Sequence, residues 1–413
     1  MDTALELASR GLECGASGAE RAQLLLTQAH VYNRMGRLNE GIEVAEQAAK
    51  LVPEATDLWV EAQRDLSACL IESGRALEGD SRLSWALGPQ FAASLAPEQR
   101  AVLLATRVRG LIDLNRPGQA LSVADEAVKC ARAAGKAGEL PMLRALDARL
   151  FALMSACAPS DAVEAGDALI EAADRAGDVH LASRGRINTA SALNYLGLYE
   201  DALKLLERAL PDVRTFRLRL LEASCIHNLG MPQARLGELD RGIEMQRDAQ
   251  RIADECGGAR IGVNARVYEA MMLTWRGEPG DLRRAHDIVQ RVLADTQTHL
   301  ALQVIALFAQ ARVQLERREV NEALAAAREA HRRLGDGPVE EWDEHIRLVY
   351  VEALLANGEG DVADEVLRTA FESIRQRVAA MRRKDFREAF LTRNEEARRL
   401  VALAENRLGL QIS

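Results

Sequence analysis

The chain has 413 residues, with 62 acidic against 53 basic side chains and a formal net charge of −9 at neutral pH. That balance excludes the broad basic surface that nucleic-acid binding requires, and no apolar run approaches the roughly 20 residues of a membrane-spanning helix. Hydrophobic residues make up 48% of the chain and aromatics only 4%, so a core must be built from Ala, Leu and Val, residues that favour helix and close helix packing.

The N-terminal stretch Met1-Asp2-Thr3-Ala4-Leu5-Glu6-Leu7 carries acids where a secretory signal would carry bases, so the cytoplasm is the expected compartment. Residues 1–13 read as one short helix lacking an upstream partner. They form a half-repeat or cap over 1–17, and the apolar Ala4, Leu5, Leu7 and Ala8 favour a segment cut from a longer protein. From there the pattern runs in helix pairs. First helices are predicted near 18–35, 56–73, 97–114, 138–156, 178–196, 216–236, 259–276, 298–316 and 339–357. Their partners fall near 39–52, 76–87, 119–134, 161–176, 200–210, 239–256, 281–295, 320–334 and 361–381. The segment 88–96 reads as an irregular join with Ser94 and Glu98 starting the next helix, and Gly335-Asp336-Gly337-Pro338 as a breaker. The prolines Pro53, Pro97, Pro117, Pro159 and Pro211 read as boundary residues. Past residue 381 a basic segment follows (Arg382, Arg383, Lys384, Arg387, Arg393). A last helix from Asn394 to Leu408 then sets Leu400, Leu403, Ala404 and Leu408 on one apolar face with Ala397 and Val401 beside it, as a capping helix would.

The pairs share a register. Leu196-Gly197-Leu198-Tyr199-Glu200-Asp201-Ala202 and Leu236-Gly237-Glu238-Leu239-Asp240-Arg241-Gly242 each close one helix at a tight turn and open the next with a small residue. The turn marker falls at positions 36, 74, 115, 157, 197, 237, 277, 318 and 358, at intervals of 38 to 42 residues. A period of this size marks a solenoid in which no repeat buries its apolar face alone, and turns this short make the paired helices antiparallel neighbours. The fold class is therefore all-α, a solenoid of about nine antiparallel helix pairs over 18–381 with the basic segment and capping helix over 382–413.

Chemistry is sparse. The seven histidines show no metal-ligand spacing, the six cysteines (Cys14, Cys69, Cys130, Cys157, Cys225, Cys256) form no CxxC pair, and no nucleophile elbow or phosphate loop occurs. No catalytic residue, metal or cofactor is expected, and the thiols read as reduced. Trp59, Trp85, Trp275 and Trp342 read as buried anchors, with Trp342 and Tyr350 the best candidates for a binding surface instead. The basic stretch Arg375–Arg393 reads either as a solvated last helix whose cations suit a helix C-terminus or as a contact for an acidic or phosphate-bearing partner.

The Leu-Gly-x-x-x-x-Ala register of Leu196–Ala202, with Asn228-Leu229-Gly230 ahead of Gly237, resembles the tetratricopeptide-repeat superfamily over about residues 18–381. The period is nearer 40 than the common 34, and so resembles the long form in kinesin light chains and in the arrays of bacterial signal-transduction ATPases and multidomain Ser/Thr kinases. The resemblance implies a right-handed superhelix and a non-enzymatic interaction module, the sensor or scaffold part of a bacterial multidomain signalling regulator. Its partner would be a protein or peptide, or another module of the same polypeptide. The alternatives are a stand-alone adaptor and a structural protein that self-associates.

In that family the first-helix position nine residues before the turn glycine faces the concave groove. Asn188 and Asn228 occupy it before Gly197 and Gly237, and a side-chain amide there can hold a peptide backbone by donor and acceptor together. Arg184 and Arg186 precede that line, and Asn194 and Asn264 lie near it. The resemblance thus implies a groove of Arg184, Asn188, Asn194, Asn228 and Asn264; other reads of the same residues are polar surface or local helix contacts. Thr27, Asp65, Thr106, Ala148, Tyr268, Ala309 and Val349 occupy the register elsewhere, so there is no long asparagine ladder.

Overall fold

The small-residue pairs and tight turns do fold as helices. A computed structural model describes residues 2–35, 37–295, 300–334 and 342–412, and among them there is no strand. The turn expected at Gly36, the breaker at 335–338 and the starts of the helices expected at 298 and 339 lie outside the described residues. The chain divides into two compact units, Met1–Ala156 and Cys157–Ser413, at the turn near Cys157.

The first unit holds α1 (Asp2–Glu13), α2 (Gly18–Arg34), α3 (Leu38–Leu51), α4 (Asp57–Glu72), α5 (Ala76–Ala86), α6 (Pro97–Asp113), α7 (Pro117–Ala133) and α8 (Glu139–Ser155). Consecutive helices pack as neighbours, α1 on α2, α2 on α3 and onward. The join at 88–96 is ordered: a short 3-10 turn at Pro89–Phe91 seats the Phe91 ring 5.1 Å from Trp59, beside Leu83 and Leu103. Ser94 does not start α6. Pro97 takes the first helical position, where its fixed φ suits a helix start, and the Gln99 side chain accepts a hydrogen bond from the Ala96 amide.

The second unit holds α9 (Pro159–Ala176), α10 (Val179–Leu196), α11 (Tyr199–Thr215), α12 (Arg219–Arg235), α13 (Leu239–Cys256), α14 (Ala259–Arg276), α15 (Asp281–Asp295), α16 (Leu300–Glu316), α17 (Val320–Leu334), α18 (Asp343–Ala356), α19 (Gly360–Ala380), α20 (Lys384–Arg393) and α21 (Glu395–Leu408). Its core is made of small residues: Ala223, Ile226, Ala249, Ile252, Ala253 and Ala265 form one cluster between α12, α13 and α14. Gly242 lets α13 approach α12 closely, since a Cβ there would stand 2.8 Å from the Gly230 carbonyl oxygen.

Every described turn marker has a left-handed backbone. Gly74, Gly197, Gly237, Gly277 and Gly358 carry positive φ, and so do Asn115, Cys157 and Arg318 where the glycine is missing. The turn geometry is thus a property of the repeat and not of one residue type; the three substitutes hold a conformation that costs an L-residue about 1–2 kcal/mol, set by the packing on both sides.

Three expectations about single residues are corrected. Pro211 is not a boundary residue: α11 runs through it to Thr215, and fully buried Val213 anchors that last turn in the core. Trp342 and Tyr350 are not surface groups. Trp342 is 1% exposed and packs on Tyr268 and Phe308, while Tyr350 is buried against His331. Trp85 and Trp275, read as buried anchors, keep 45% and 36% exposure; each lies in the last turn of its helix.

The C-terminal segment then returns to the beginning of its own unit. A break at Met381–Arg383 ends α19; α20 packs on α10, and α21 packs on α18 and α19. Phe386 and Phe390 are buried, and Phe390 stacks on Tyr195 with centroids 5.6 Å apart. The basic stretch is therefore more than a solvated helix. Arg377 is buried against Asp343 and Glu344, and Arg393 reaches Glu200 at 2.7 Å, although Arg375 pairs only with its neighbour Glu372 in solvent.

At Gly197 this return meets a turn that cannot accept a side chain. Its φ is +81°, and an added Cβ would lie 2.8 Å from Arg393 Cβ; Gly237, with φ +102°, has open space around it. Gly237→Ala is expected to cost about 1–2 kcal/mol from the backbone alone. Gly197→Ala is expected to cost a further 1–3 kcal/mol, roughly, from overpacking against the returning segment. Urea denaturation of both variants followed by circular dichroism checks this; equal losses would mean that Arg393 does not seat on the turn.

Candidate interaction groove

Helical spacing sets the wall of the site. On α10, Ser191, Asn194 and Tyr195 lie within about one turn; on α12, His227, Asn228, Met231 and Arg235 do the same over two turns. Tyr199 at the start of α11, Tyr268 on α14 and His345 on α18 complete the wall, and Asn394 and Glu396 enter it from the C-terminal segment. These residues line one cleft of the second unit.

The wall holds the C-terminal segment by polar contacts. The Tyr199 hydroxyl donates to the main-chain carbonyl of Arg393 at 3.1 Å, and the Asn394 amide nitrogen donates to the Tyr195 carbonyl at 2.8 Å. Asn394 has extended backbone (φ −73°, ψ 106°), and its side-chain oxygen caps α21 by accepting from the Ala397 amide at 2.9 Å. The Arg235 guanidinium donates to Glu396 at 2.7 Å while lying over the Trp275 ring, 4.3 Å from its centroid. His345 Nε2 stands 3.5 Å from the same carboxylate oxygen.

One layer deeper, the Tyr195 hydroxyl donates to Glu344 at 2.6 Å and accepts from Arg377 at 2.7 Å. Arg377 also pairs with Glu344, and Arg347 holds Asp343 at 2.9 Å. Four charges and a phenol thus saturate one another where almost no water reaches, the condition under which buried charge is tolerated.

Burial opposes ionisation of Glu396, but the charges of His345 and Arg235 and the Arg235 hydrogen bond outweigh it and hold the carboxyl at about 2. Burial drives the His227 imidazole down to about 4, against the pull of its bond to Gln246 at 2.7 Å. Burial also pushes the Cys225 thiol up to about 12, which leaves it un-ionised and inert as a nucleophile.

Of the five residues expected in a groove, the structure brings two together. Asn194 and Asn228 both line the cleft, and the Asn194 amide nitrogen donates to the Asn228 carbonyl at 3.1 Å. The Asn228 amide nitrogen donates to Ser224 in its own helix, whereas Asn194 Oδ1 is buried in the wall with no hydrogen-bond partner. Asn188 is half-buried on α10, nearly two turns before Asn194, and Arg184 lies a turn earlier still; neither lines the cleft. Asn264 lies on α14 outside it, its own Oδ1 buried and unpartnered. Arg186 faces Asp174 and Asp212 instead. The sequence reading missed Tyr195, Tyr199, Arg235, His345, Asn394 and Glu396. Only Asn394 carried a local signal, as the start of the last helix.

As it stands, the cleft is shallow. The space open to water-sized bodies is about 40 Å³, room for about three waters. Among the described residues no cluster of His, Cys, Asp and Glu could hold a metal ion, and no helix is long and apolar enough to cross a membrane.

No protein-family model matches the chain, and no curated sequence matches it. Solved structures do resemble it. One is a Rap protein complexed with competence and sporulation factor, 12% identical, TM-score 0.64, the match covering 87% of this chain and 99% of that one. Another is NprR in complex with its cognate peptide NprX, 13% identical, TM-score 0.51, covering 96% of this chain and all of that one. A third is a signal-transduction ATPase with a tetratricopeptide-repeat sensor from Pyrococcus horikoshii, 12% identical, TM-score 0.50; the match covers 80% of this chain but spans only 50% of that protein. At such identities the likeness shows the fold: each unit is a stack of antiparallel helix pairs of the tetratricopeptide type.

Glu396 and His227 define two pH windows. Glu396 titrates below its ordinary 4.5, so its stabilisation is present above that value and lost as pH falls toward 2. His227 titrates below its ordinary 6.5, so the unfolded chain takes the proton first and stability falls between pH 6.5 and 4. Each window is worth about 3 kcal/mol. Denaturant stability measured from pH 7 to 3 is expected to fall in both windows, with His227→Asn shrinking the upper fall, to which His30 and His331 also contribute, and Glu396→Gln shrinking the lower. A variant that keeps the wild-type pH profile would contradict the assignment.

Proposed function

We propose that this chain is a non-enzymatic protein–protein interaction module, the sensor or scaffold part of a bacterial multidomain signalling regulator, binding an extended peptide or protein segment on the α10–α12 face. The observation that carries the reading is that this face already holds a corner of the chain's own polypeptide, the passage from α20 into α21: Tyr199 bonds the Arg393 carbonyl, and Arg235 bonds the Glu396 side chain. A wall that recognises main chain and one carboxylate in its own C-terminal segment has the chemistry to do so in another chain.

The Rap and NprR complexes, which contain a competence and sporulation factor and a peptide, support the reading by analogy of fold. So does Asn194 Oδ1, a buried acceptor without a donor in the wall, which a peptide N–H would satisfy. Asn194 and Asn228 are the groove residues this reading favours; Asn188, Arg184 and Asn264 belong to it only if the bound segment extends along α10 or onto α14. A catalytic role has less support, because the cleft's carboxylate is held ionised by Arg235 and the Cys225 thiol is inert at about 12.

A display library of random peptides panned against the full chain tests this. Enriched peptides are expected to lose about tenfold or more in affinity, roughly 1.4 kcal/mol, to Asn194→Ala combined with Asn228→Ala, at unchanged helicity. Asn188→Ala with Asn228→Ala asks whether the site extends along α10. Failure to enrich any peptide, or affinities indifferent to all three substitutions, would overturn the reading.

A further inference from the structure

We infer that the link into α21, Asn394 with the first helical turn Glu395–Ala397, is an internal occupant of the α10–α12 face, and that a partner segment binds there by displacing it and presenting an acidic side chain to Arg235. The inference rests on the groove reading above and adds the ligand's chemistry and the competition.

Three observations carry it. First, space: with the link in place the cleft has about 40 Å³, room for water and not for a second polypeptide. A foreign segment that bonds Tyr199 and Arg235 must take the place that the link now holds on them.

Second, charge: Arg235 is 16% exposed in its side chain, stacked on Trp275 and satisfied by Glu396. When the link departs, a largely buried guanidinium loses its carboxylate, a cost that only another anion offsets. Glu396 is a side chain in the first turn of a helix, with the chain continuing on both sides, so the fitting replacement is a Glu or Asp inside a partner segment and not a free anion, with Asn194 Oδ1 as acceptor for a neighbouring N–H.

Third, anchoring: the two C-terminal helices are held differently. Helix α20 sinks Phe386 and Phe390 into the core, but α21 buries only Ala397, Leu400 and Ala404 among its apolar side chains. Its other ties are ion pairs, Arg399 with Glu352 and Arg407 with Asp364 at 2.7 Å, in which both arginines are substantially exposed. Exposed pairs contribute little and are screened by salt. Helix α21 and the link are therefore the part that releases, with α20 as the fixed hinge side.

The test uses the full chain and, as probe, a fluorescently labelled, C-terminally amidated peptide of residues 390–401. Wild type, with its own link docked, is expected to bind the probe at least about tenfold more weakly than Glu396→Ala, since apparent affinity scales with the open fraction. Leu400→Ala removes the one large apolar side chain that α21 buries and so loosens α21 without touching the wall; it is expected to raise probe binding as well, which keeps the test valid should Glu396→Ala fold poorly. Arg235→Ala in the loosened background, or a probe with Gln at the Glu396 position, is expected to abolish binding. Equal probe binding by wild type and loosened chains, no binding by any of them, or indifference to Arg235→Ala would each overturn the inference. Library peptides titrated on the same proteins separate it from the groove reading. If they bind wild type and loosened chains alike, the groove stands and the competition fails; if the loosened chains bind neither library peptides nor probe, the groove reading fails with it.

Discussion

Arg235 sits where α12 ends, its guanidinium between the Trp275 ring and the Glu396 carboxylate, and both partners of that ion pair are nearly out of solvent. Removing either charge alone strands the other, at a cost of about 3–5 kcal/mol, while the pair as a whole adds little net stability. What the pair supplies is position. It fixes the start of α21 on the repeat face, and Tyr199, Asn394 and the close approach at Gly197 follow from that placement.

The same partition of chemistry runs through the second unit. Between paired helices the contacts are mostly Ala, Gly and branched aliphatics, with the His227–Gln246 pair between α12 and α13 a buried polar exception. Toward the cleft they are hydrogen bonds and ion pairs, which exchange one partner for another at a net cost of about 1 kcal/mol each. A rigid apolar scaffold with a polar, exchangeable face is what an interaction module requires. Asp343, Glu344, Arg347 and Arg377 beneath the wall lock α18 and α19 to Tyr195.

Much of this scaffold was legible in the sequence because the repeat is a local property. A turn that needs a left-handed residue about every 40 positions leaves its mark even where Asn115, Cys157 or Arg318 stands in place of glycine, since the flanking apolar spacing persists. The helix through Pro211 was not legible, because its last turn is kept by burial of Val213, a tertiary effect that overrides local propensity. Nor was the groove legible in full. Asn194 and Asn228 could be picked out as polar residues on first helices, but the contacts that define the site join residues 161 to 199 positions apart, as in Arg235 with Glu396 and Asn394 with Tyr195. No periodicity spans that distance. Asn188 matched the register as well as Asn228 did, yet the cleft opens at the C-terminal ends of α10 and α12, where a position-by-position comparison of repeats carries no depth information.

The central claim, that the returning C-terminal segment is held on the repeat face through Arg235 and Glu396, is tested most directly by a double-mutant cycle on that pair. Stability to urea at pH 7 would be measured for wild type, Arg235→Gln, Glu396→Gln and the double variant. The account predicts a coupling of about 2 kcal/mol or more, with the double variant less damaged than the sum of the singles. Additive effects, with coupling under about 0.5 kcal/mol, would mean that the two groups do not meet, and that neither the docked segment nor the competition built on it exists.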